Sequence, residues 1–133
     1  MMKPSYVDDI NILLPQLSSS AQPCTDEWLS GMFDSGTKLF VALDNDKIIG
    51  TVLLCTMVIL VGRKDWIEDV VVDEKYRRRG IATVFMDMAH SVSRRRDAKS
   101  INLTSNPERG GARQMYGDMG YEVRDTGVFR LTF

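Results

Sequence analysis

The chain has 133 residues, 44% of them hydrophobic, and a formal net charge of −1. That is enough chain for one globular domain with a continuous core and too little for two, so residues 1–133 are read as a single domain. The near-neutral charge excludes a molecule drawn as a whole to nucleic acid or to an anionic membrane, and any basic chemistry must be local.

Cys24 and Cys55 are far apart and form no CxxC pair, and the opening Met1-Met2-Lys3-Pro4 has no apolar run behind it. Both features predict a reduced, cytoplasmic protein. The longest apolar stretch, Ile48 to Val61, is interrupted by Gly50, Thr51 and Thr56 and is shorter than the ~18 residues of a membrane span. It reads as a buried strand.

In chain order, Ile10, Leu13, Leu14 and Leu17 recur at helical spacing behind Asp8 and Asp9, and Pro15 should kink or end that helix. Thr25 can cap a second short helix through about Phe33, stopped at Ser35-Gly36. Lys38 to Leu43 reads as a strand and Asp44 to Lys47 as a hairpin loop. The Ile48 to Val61 strand follows, then Trp66 to Asp73, rich in β-branched residues. The first half is thus a meander of antiparallel neighbours.

Beyond Asp73 a charged run ends in Arg77-Arg78-Arg79 and Gly80. Ile81, Val84, Phe85, Met88, Ala89 and Val92 then recur as on one face of a helix, closed by Arg94, Arg95 and Arg96. Ser100 to Thr104 reads as a short strand. Asn106 and Pro107 suit a helix start, Ala112, Met115, Tyr116 and Met119 share one face, and Gly120 can end it. Tyr121 to Asp125 and Val128 to Phe133 predict a closing hairpin around Thr126-Gly127. A strand–helix–strand order in the second half implies a parallel pair, so the fold class is α/β with a mixed sheet.

A strand, a short charged loop, a glycine and a helix make an anion site: the first amides of a helix lack intrahelical partners, and its dipole is positive there. No GxxxxGK[ST] and no GxGxxG is present, so triphosphate and dinucleotide readings lack their fingerprints. Taken alone, the arginine run equally reads as a solvated loop ahead of a helix.

Arg77-Arg78-Arg79-Gly80-Ile81-Ala82 resembles the (Gln/Arg)-x-x-Gly-x-(Gly/Ala) signature of the GNAT family of N-acetyltransferases. Ile67 to Asp73 resembles that family's fourth strand. Asn106 followed by Ala112, Tyr116, Gly120 and Tyr121 matches its C-terminal spacing. The likeness runs from about Trp66 to Tyr121; before Arg63 it lies in layout alone, and the family's first strand is cut to Met1 to Pro4 or absent.

The resemblance implies a mostly antiparallel mixed sheet with a splayed parallel pair, about four flanking helices, and acetyl-coenzyme A as co-substrate without a metal. It implies that Arg78, Arg79, Gly80, Ile81, Ala82 and Thr83 hold the pyrophosphate, with Arg77 opening the turn. Val70, Val71 and Val72 would lie along the pantetheine arm, and Asn106 belongs to the cofactor set. Tyr116 would protonate the departing thiolate.

Glu68, on a strand of apolar neighbours, is the candidate base for the acceptor amine; Asp69 should point to the opposite face. An ordinary surface acid and a core tyrosine are the plain readings of Glu68 and Tyr116. Around Ile67 to Val72 the likeness is sharpest to glucosamine-phosphate N-acetyltransferases, which does not set the acceptor.

An amino sugar, a polyamine, an amino acid, an aminoglycoside or a protein amine all remain open as that acceptor. For small members the resemblance implies pairing into a homodimer. Two rivals stand beside the enzyme: a non-catalytic acetyl-coenzyme A sensor, and a nucleic-acid module using both arginine triplets. The triplets lie about 20–25 Å apart along one helix and form no stripe. His90, the lone histidine, should face solvent, and Trp28 and Trp66 should sit in the core or at its rim.

Overall fold

The computed structural model describes residues 3–105 and 110–133. Helix α1 spans Pro4–Leu17 and runs straight through Pro15. A proline in the last turn forfeits one backbone bond, and the Ser18 amide still donates to the Leu14 carbonyl at 2.9 Å. Thr25 caps α2 (Asp26–Asp34), its hydroxyl accepting from the Trp28 amide at 3.1 Å.

Strands β1 (Lys38–Asp44), β2 (Lys47–Ile59) and β3 (Gly62–Val72) form the antiparallel meander, and β4 (Ile101–Asn102) joins β3 in parallel. Asn45 and Asp46 both have positive φ, the geometry of the tight two-residue turn that suits strand twist. Ile48 to Leu54 is largely buried as expected, but Val58 and Leu60 are 74% and 107% exposed. Strand β3 begins at Gly62, four residues ahead of the expected Trp66, so Val58 to Val61 make the tip of a hairpin rather than core.

Helix α3 (Ile81–Arg95) follows a 3₁₀ turn at Glu74–Tyr76. Its buried face is Phe85, Met86, Ala89 and Ser93, whereas Val84 and Met88 of the expected stripe are exposed. The helix seats on β2 and β3 rotated toward Met86 and Ser93. That rotation also half-buries His90, which was expected in solvent.

The two sheet faces carry different layers. A Cβ on Gly50 would stand 3.1 Å from the Phe85 ring, so Gly50 faces α3 at close approach. The neighbouring Thr51 faces the α1 and α2 side, as alternation along a strand requires. There Ile10, Leu13, Leu29, Ile48 and Val71 form the core cluster.

The described residues group into two compact units, Met1–Leu103 and Thr104–Phe133. In the second, α4 spans Gly110–Asp118 and Gly120, at φ 95°, follows it. The expected cap residues Asn106 and Pro107 lie outside the described residues. Residues 121–133 contain no strand, contrary to the expected hairpin, and Val128, Phe129, Leu131 and Phe133 are exposed. A lone two-stranded hairpin is marginal in water, and within this unit no further strand supports one.

Candidate active site

The loop between β3 and α3 is built from its backbone. Asp73 is buried, and its carboxylate accepts from the Lys75 amide at 3.1 Å, which starts the 3₁₀ turn. Two fixings hold that turn from outside: the Tyr76 hydroxyl donates to Asp44 Oδ2 at 2.5 Å, and the Glu74 amide donates to Gln16 Oε1 at 3.0 Å. Arg77 turns back, Nε donating to the Val72 carbonyl at 3.0 Å and its guanidinium reaching Gln16 Oε1 at 3.4 Å. Arg77 is thereby a fastener of the loop.

Arg78 and Gly80 both have positive φ, 64° and 78°, on either side of Arg79. Left-handed residues spaced this way turn successive N–H groups toward one concavity, the arrangement known as an anion nest. Gly80 also caps α3 with no side-chain bond, and the first intrahelical bond is Val84 N–H to Gly80 carbonyl at 3.2 Å. The amides of Ile81 and Ala82 therefore precede the helical ladder. A Cβ on Gly80 would meet nothing within 4 Å, so glycine is needed for its φ and for an open approach, not for packing. Arg79 lies over the Tyr76 ring at 5.1 Å, held at the mouth of the loop. Thr83 completes the first turn and is exposed.

Upstream, β3 offers an edge. It pairs with β2 along most of its length, but with β4 only at Asp65↔Ile101 and Trp66↔Asn102 among the described residues. From Ile67 onward the β4 side of β3 has no registered partner strand there. Val70, Val71 and Val72 lie on that stretch, Val71 with its side chain in the α1 core cluster and Val72 leading into the loop.

Between these parts the ladder breaks. Thr51 pairs with Val71 and Leu53 with Glu68, so Asp69 and Val70 together oppose the single Val52. This is a β-bulge, and Asp69 holds its extra residue at φ 51°, a conformation aspartate tolerates better than a branched residue. Thr51 Oγ1 fixes it by donating to the Asp69 carbonyl at 3.0 Å. The bulge cancels the alternation on which the sequence reading relied. Asp69 is not turned to the opposite face; it lines the same side as Leu53, the residue across from Glu68.

That side holds a cavity of about 600 Å³. Helix α1 lines it with Ile10, Leu14 and Leu17, α2 with Trp28, Leu29 and Met32, and the sheet with Leu39, Thr51, Leu53 and Asp69. Gln22 to Thr25, joining the helices, closes one wall. Burial pushes the Asp69 carboxyl above its usual range. Glu68 is raised too, first by desolvation and then by the charge of Asp69; both acids are exposed, and of the two Asp69 lines the cavity.

In the other unit, the Tyr116 and Tyr121 rings stand 5.7 Å apart at 59°. Burial, then the neighbouring Tyr116, drives the Tyr121 phenol well above its ordinary pKa, so it stays protonated. Both rings are half-buried, and the Tyr121 amide donates to the Tyr116 carbonyl at 3.0 Å. The arginine-glycine loop and Val70 to Val72 are thus brought together in the first unit, with Glu68 and Asp69 beside them, and Tyr116 is described in the second. Asn106, expected in the cofactor set, lies outside the described residues.

The sequence reading missed Asp69 as a cavity residue, and missed Gln16 and Asp44 as anchors of the loop. Two consecutive acids inside a β-branched run were the available signal for the bulge; the anchors have none, being 58 and 32 residues from their partners. Among the described residues, no group of three or more His, Cys, Asp or Glu could hold a metal, and no helix is long and apolar enough to cross a membrane.

No curated protein matches the chain. Among solved structures, an acetyltransferase of Trypanosoma brucei superposes with a TM-score of 0.82 at 23% identity, covering 99% of this chain and 96% of that one. An aminoglycoside acetyltransferase from an uncultured soil metagenomic sample, in complex with trehalose, gives 0.81 at 17% identity, covering 95% and 87%. A ribosomal-protein-alanine N-acetyltransferase of Brucella melitensis gives 0.76 at 16%, covering 96% and 93%. These likenesses establish the shared mixed-sheet fold. The model of the acetyltransferase (GNAT) family matches residues 8–121, most of the chain, and covers the loop, the bulge and Tyr116. The chain belongs to the acetyltransferase (GNAT) family: it is an acyltransferase, with acetyl-coenzyme A as its acetyl donor and no metal in its described residues.

Proposed function

We propose that the protein is an N-acetyltransferase that passes the acetyl group directly from acetyl-coenzyme A to a primary amine. One observation carries the reading: a nest formed around Arg78 and Gly80 opens α3 in the loop that follows β3, beside a stretch of β3 edge with no registered partner among the described residues. The nest suits the pyrophosphate, through the amides from Arg78 to Thr83 and the charge of Arg78 and Arg79. The edge at Val70 to Val72 suits the amide-rich pantetheine, which adds as a strand does. An edge amide near the thioester carbonyl would stabilise the developing oxyanion. Asn106 is retained as a cofactor contact by the family spacing alone.

In the reaction the amine nitrogen bonds to the thioester carbon and the C–S bond breaks. Of the two protons an ammonium loses on the way to an amide, one goes to the departing sulfur and one to solvent. Tyr116 is assigned as the acid that protonates the sulfur. Glu68, with its raised pKa and exposure, suits relay of the other proton through water. The whole chain acts as one catalytic domain, works in the cytoplasm on a free amine, and engages no nucleic acid or membrane. A homodimer is retained from the family resemblance.

The test is calorimetric titration of the folded protein with coenzyme A, followed by thiol release from acetyl-coenzyme A over a panel of primary amines. Saturable coenzyme A binding with amine-dependent thiol release supports the reading. Saturable binding with no release on any amine favours a non-catalytic sensor, and no binding removes both.

A further inference from the structure

The cavity between α1, α2 and the sheet is too selective in its chemistry for most acceptor classes. Resting on the reading of the protein as an amine acetyltransferase, we propose that its acceptor is a small monoamine with an apolar aryl or alkyl body, lodged in this cavity with its ammonium on Asp69.

Charge argues first. Among the described residues Asp69 supplies the only formal charge in the wall, and none of them donates a hydrogen bond to its carboxylate. A polyamine carries several ammonium groups and would leave all but one facing aliphatic side chains, a costly burial of unpaired charge. A phosphorylated amino sugar needs a cation, and no Lys or Arg lines the cavity among the described residues. An unphosphorylated sugar or aminoglycoside presents a ring of hydroxyls, most of them to Ile10, Leu14, Leu17 and Leu53; the Thr25 and Thr51 hydroxyls of the wall already bond the Trp28 amide and the Asp69 carbonyl, which leaves Gln22 and Asp69 to serve them.

Size and shape argue next. About 600 Å³ falls within the range that encloses a whole small molecule. Trp28, 73% exposed yet part of the wall, sets its aromatic face at the rim, where an apolar body would cover it. A peptide would bring backbone amides past its first residue into the same apolar wall, unpaired. The carboxylate itself is prepared for a cation: although exposed, it is partly desolvated on its cavity side, which raises the Asp69 pKa, and an ammonium beside it relieves that cost. The bulge is what places the group there. Because of it, Glu68 and Val71 both pair with cavity-lining residues of β2, Leu53 and Thr51, with Asp69 and Val70 between them.

Asp69 is thus a substrate-binding residue distinct from Glu68, and α1 and α2 set acceptor specificity. The experiment compares 2-phenylethylamine, spermidine, glucosamine 6-phosphate and a phenylalanine-led tripeptide by kcat/KM, with coenzyme A affinity measured separately by calorimetry. The expected result is the highest kcat/KM for 2-phenylethylamine. Asp69→Asn should raise its KM about tenfold or more, with coenzyme A affinity unchanged and the fold retained, and Trp28→Ala should raise it several-fold. Greater efficiency on any of the other three amines overturns the proposal, as does a KM for 2-phenylethylamine unmoved by Asp69→Asn. Coenzyme A binding with no saturable 2-phenylethylamine turnover also overturns it while leaving acetyl-coenzyme A recognition standing; loss of coenzyme A binding in the parent protein instead sinks the earlier reading.

Discussion

Strand β3 presents two unlike surfaces within five residues. After Val72 it enters a loop whose working parts are backbone amides, set by two left-handed residues and ringed with cations. At Asp69, a few residues before, it borders a cavity whose working parts are side chains from α1, α2, β1 and β2. On the proposed reading, the difference teaches that recognition of a constant group and of a variable one are built by different means. A backbone nest depends on a local run of residue types, so it leaves a motif. An apolar cavity depends on contacts between segments up to 59 positions apart, Ile10 and Asp69 among them, and leaves none.

The comparison can be strained from several directions. The largest effect should come from neither surface: Tyr116→Phe is expected to lower kcat about 10²-fold or more, the usual scale for a lost general acid. Coenzyme A affinity and amine KM should both stay within about twofold, and thiol-release kinetics beside calorimetry would check it. Unchanged kcat would remove Tyr116 from proton transfer.

Gly80→Val should separate the two surfaces. A β-branched residue at φ 78° is strained by about 1–2 kcal/mol or more, and its side chain enters the open approach to the nest. Coenzyme A affinity is expected to fall about tenfold or more, while the cavity and its lining keep their geometry; calorimetry and the crystal structure of the variant test each half. Equal affinity would mean that the donor does not use this loop.

Smaller effects should follow at the fastenings. Arg77→Ala removes the bonds to the Val72 carbonyl and to Gln16, for a stability loss of about 1 kcal/mol in urea melts and a modest loss of donor affinity. Arg78→Ala leaves those bonds in place and should weaken coenzyme A binding several-fold at low salt, an effect that shrinks as ionic strength rises.

The smallest and most diagnostic is a pH dependence. The folded-state pKa of Asp69, an exposed but partly desolvated carboxyl, is raised, so stability is lost as pH rises through its titration. Asp69→Asn should therefore melt above the parent at neutral pH and alongside it at pH values below the ordinary carboxylate range. A variant less stable than the parent at neutral pH would show instead that the carboxylate is a structural group, and the contrast between the two surfaces would narrow.

Much of this was open to reading before any coordinates. The Thr25 cap, the Asn45-Asp46 turn, the antiparallel meander, the arginine-glycine loop and helix α3 all follow from local residue types and came out as expected. Among the readings that failed, three did so for a non-local reason. Strand alternation put Asp69 on the wrong face, because a bulge depends on how β2 pairs with β3. The α3 stripe was rotated, because which side of a helix is buried is settled by the sheet beneath it. The C-terminal hairpin was expected from its alternating apolar residues, but a strand needs a partner edge to form on, and residues 121–133 show none within their own unit.

The order of residues by itself determined the family, the mixed sheet and the left-handed turn at Arg78 and Gly80 ahead of α3, since φ preferences, helix starts and strand propensity act over a handful of neighbours. Only the tertiary structure decided which acid enters the cavity, what lines that cavity and which partners hold the loop in shape. Those outcomes depend on register and packing between distant segments, and no short stretch of chain contains the geometry that sets them.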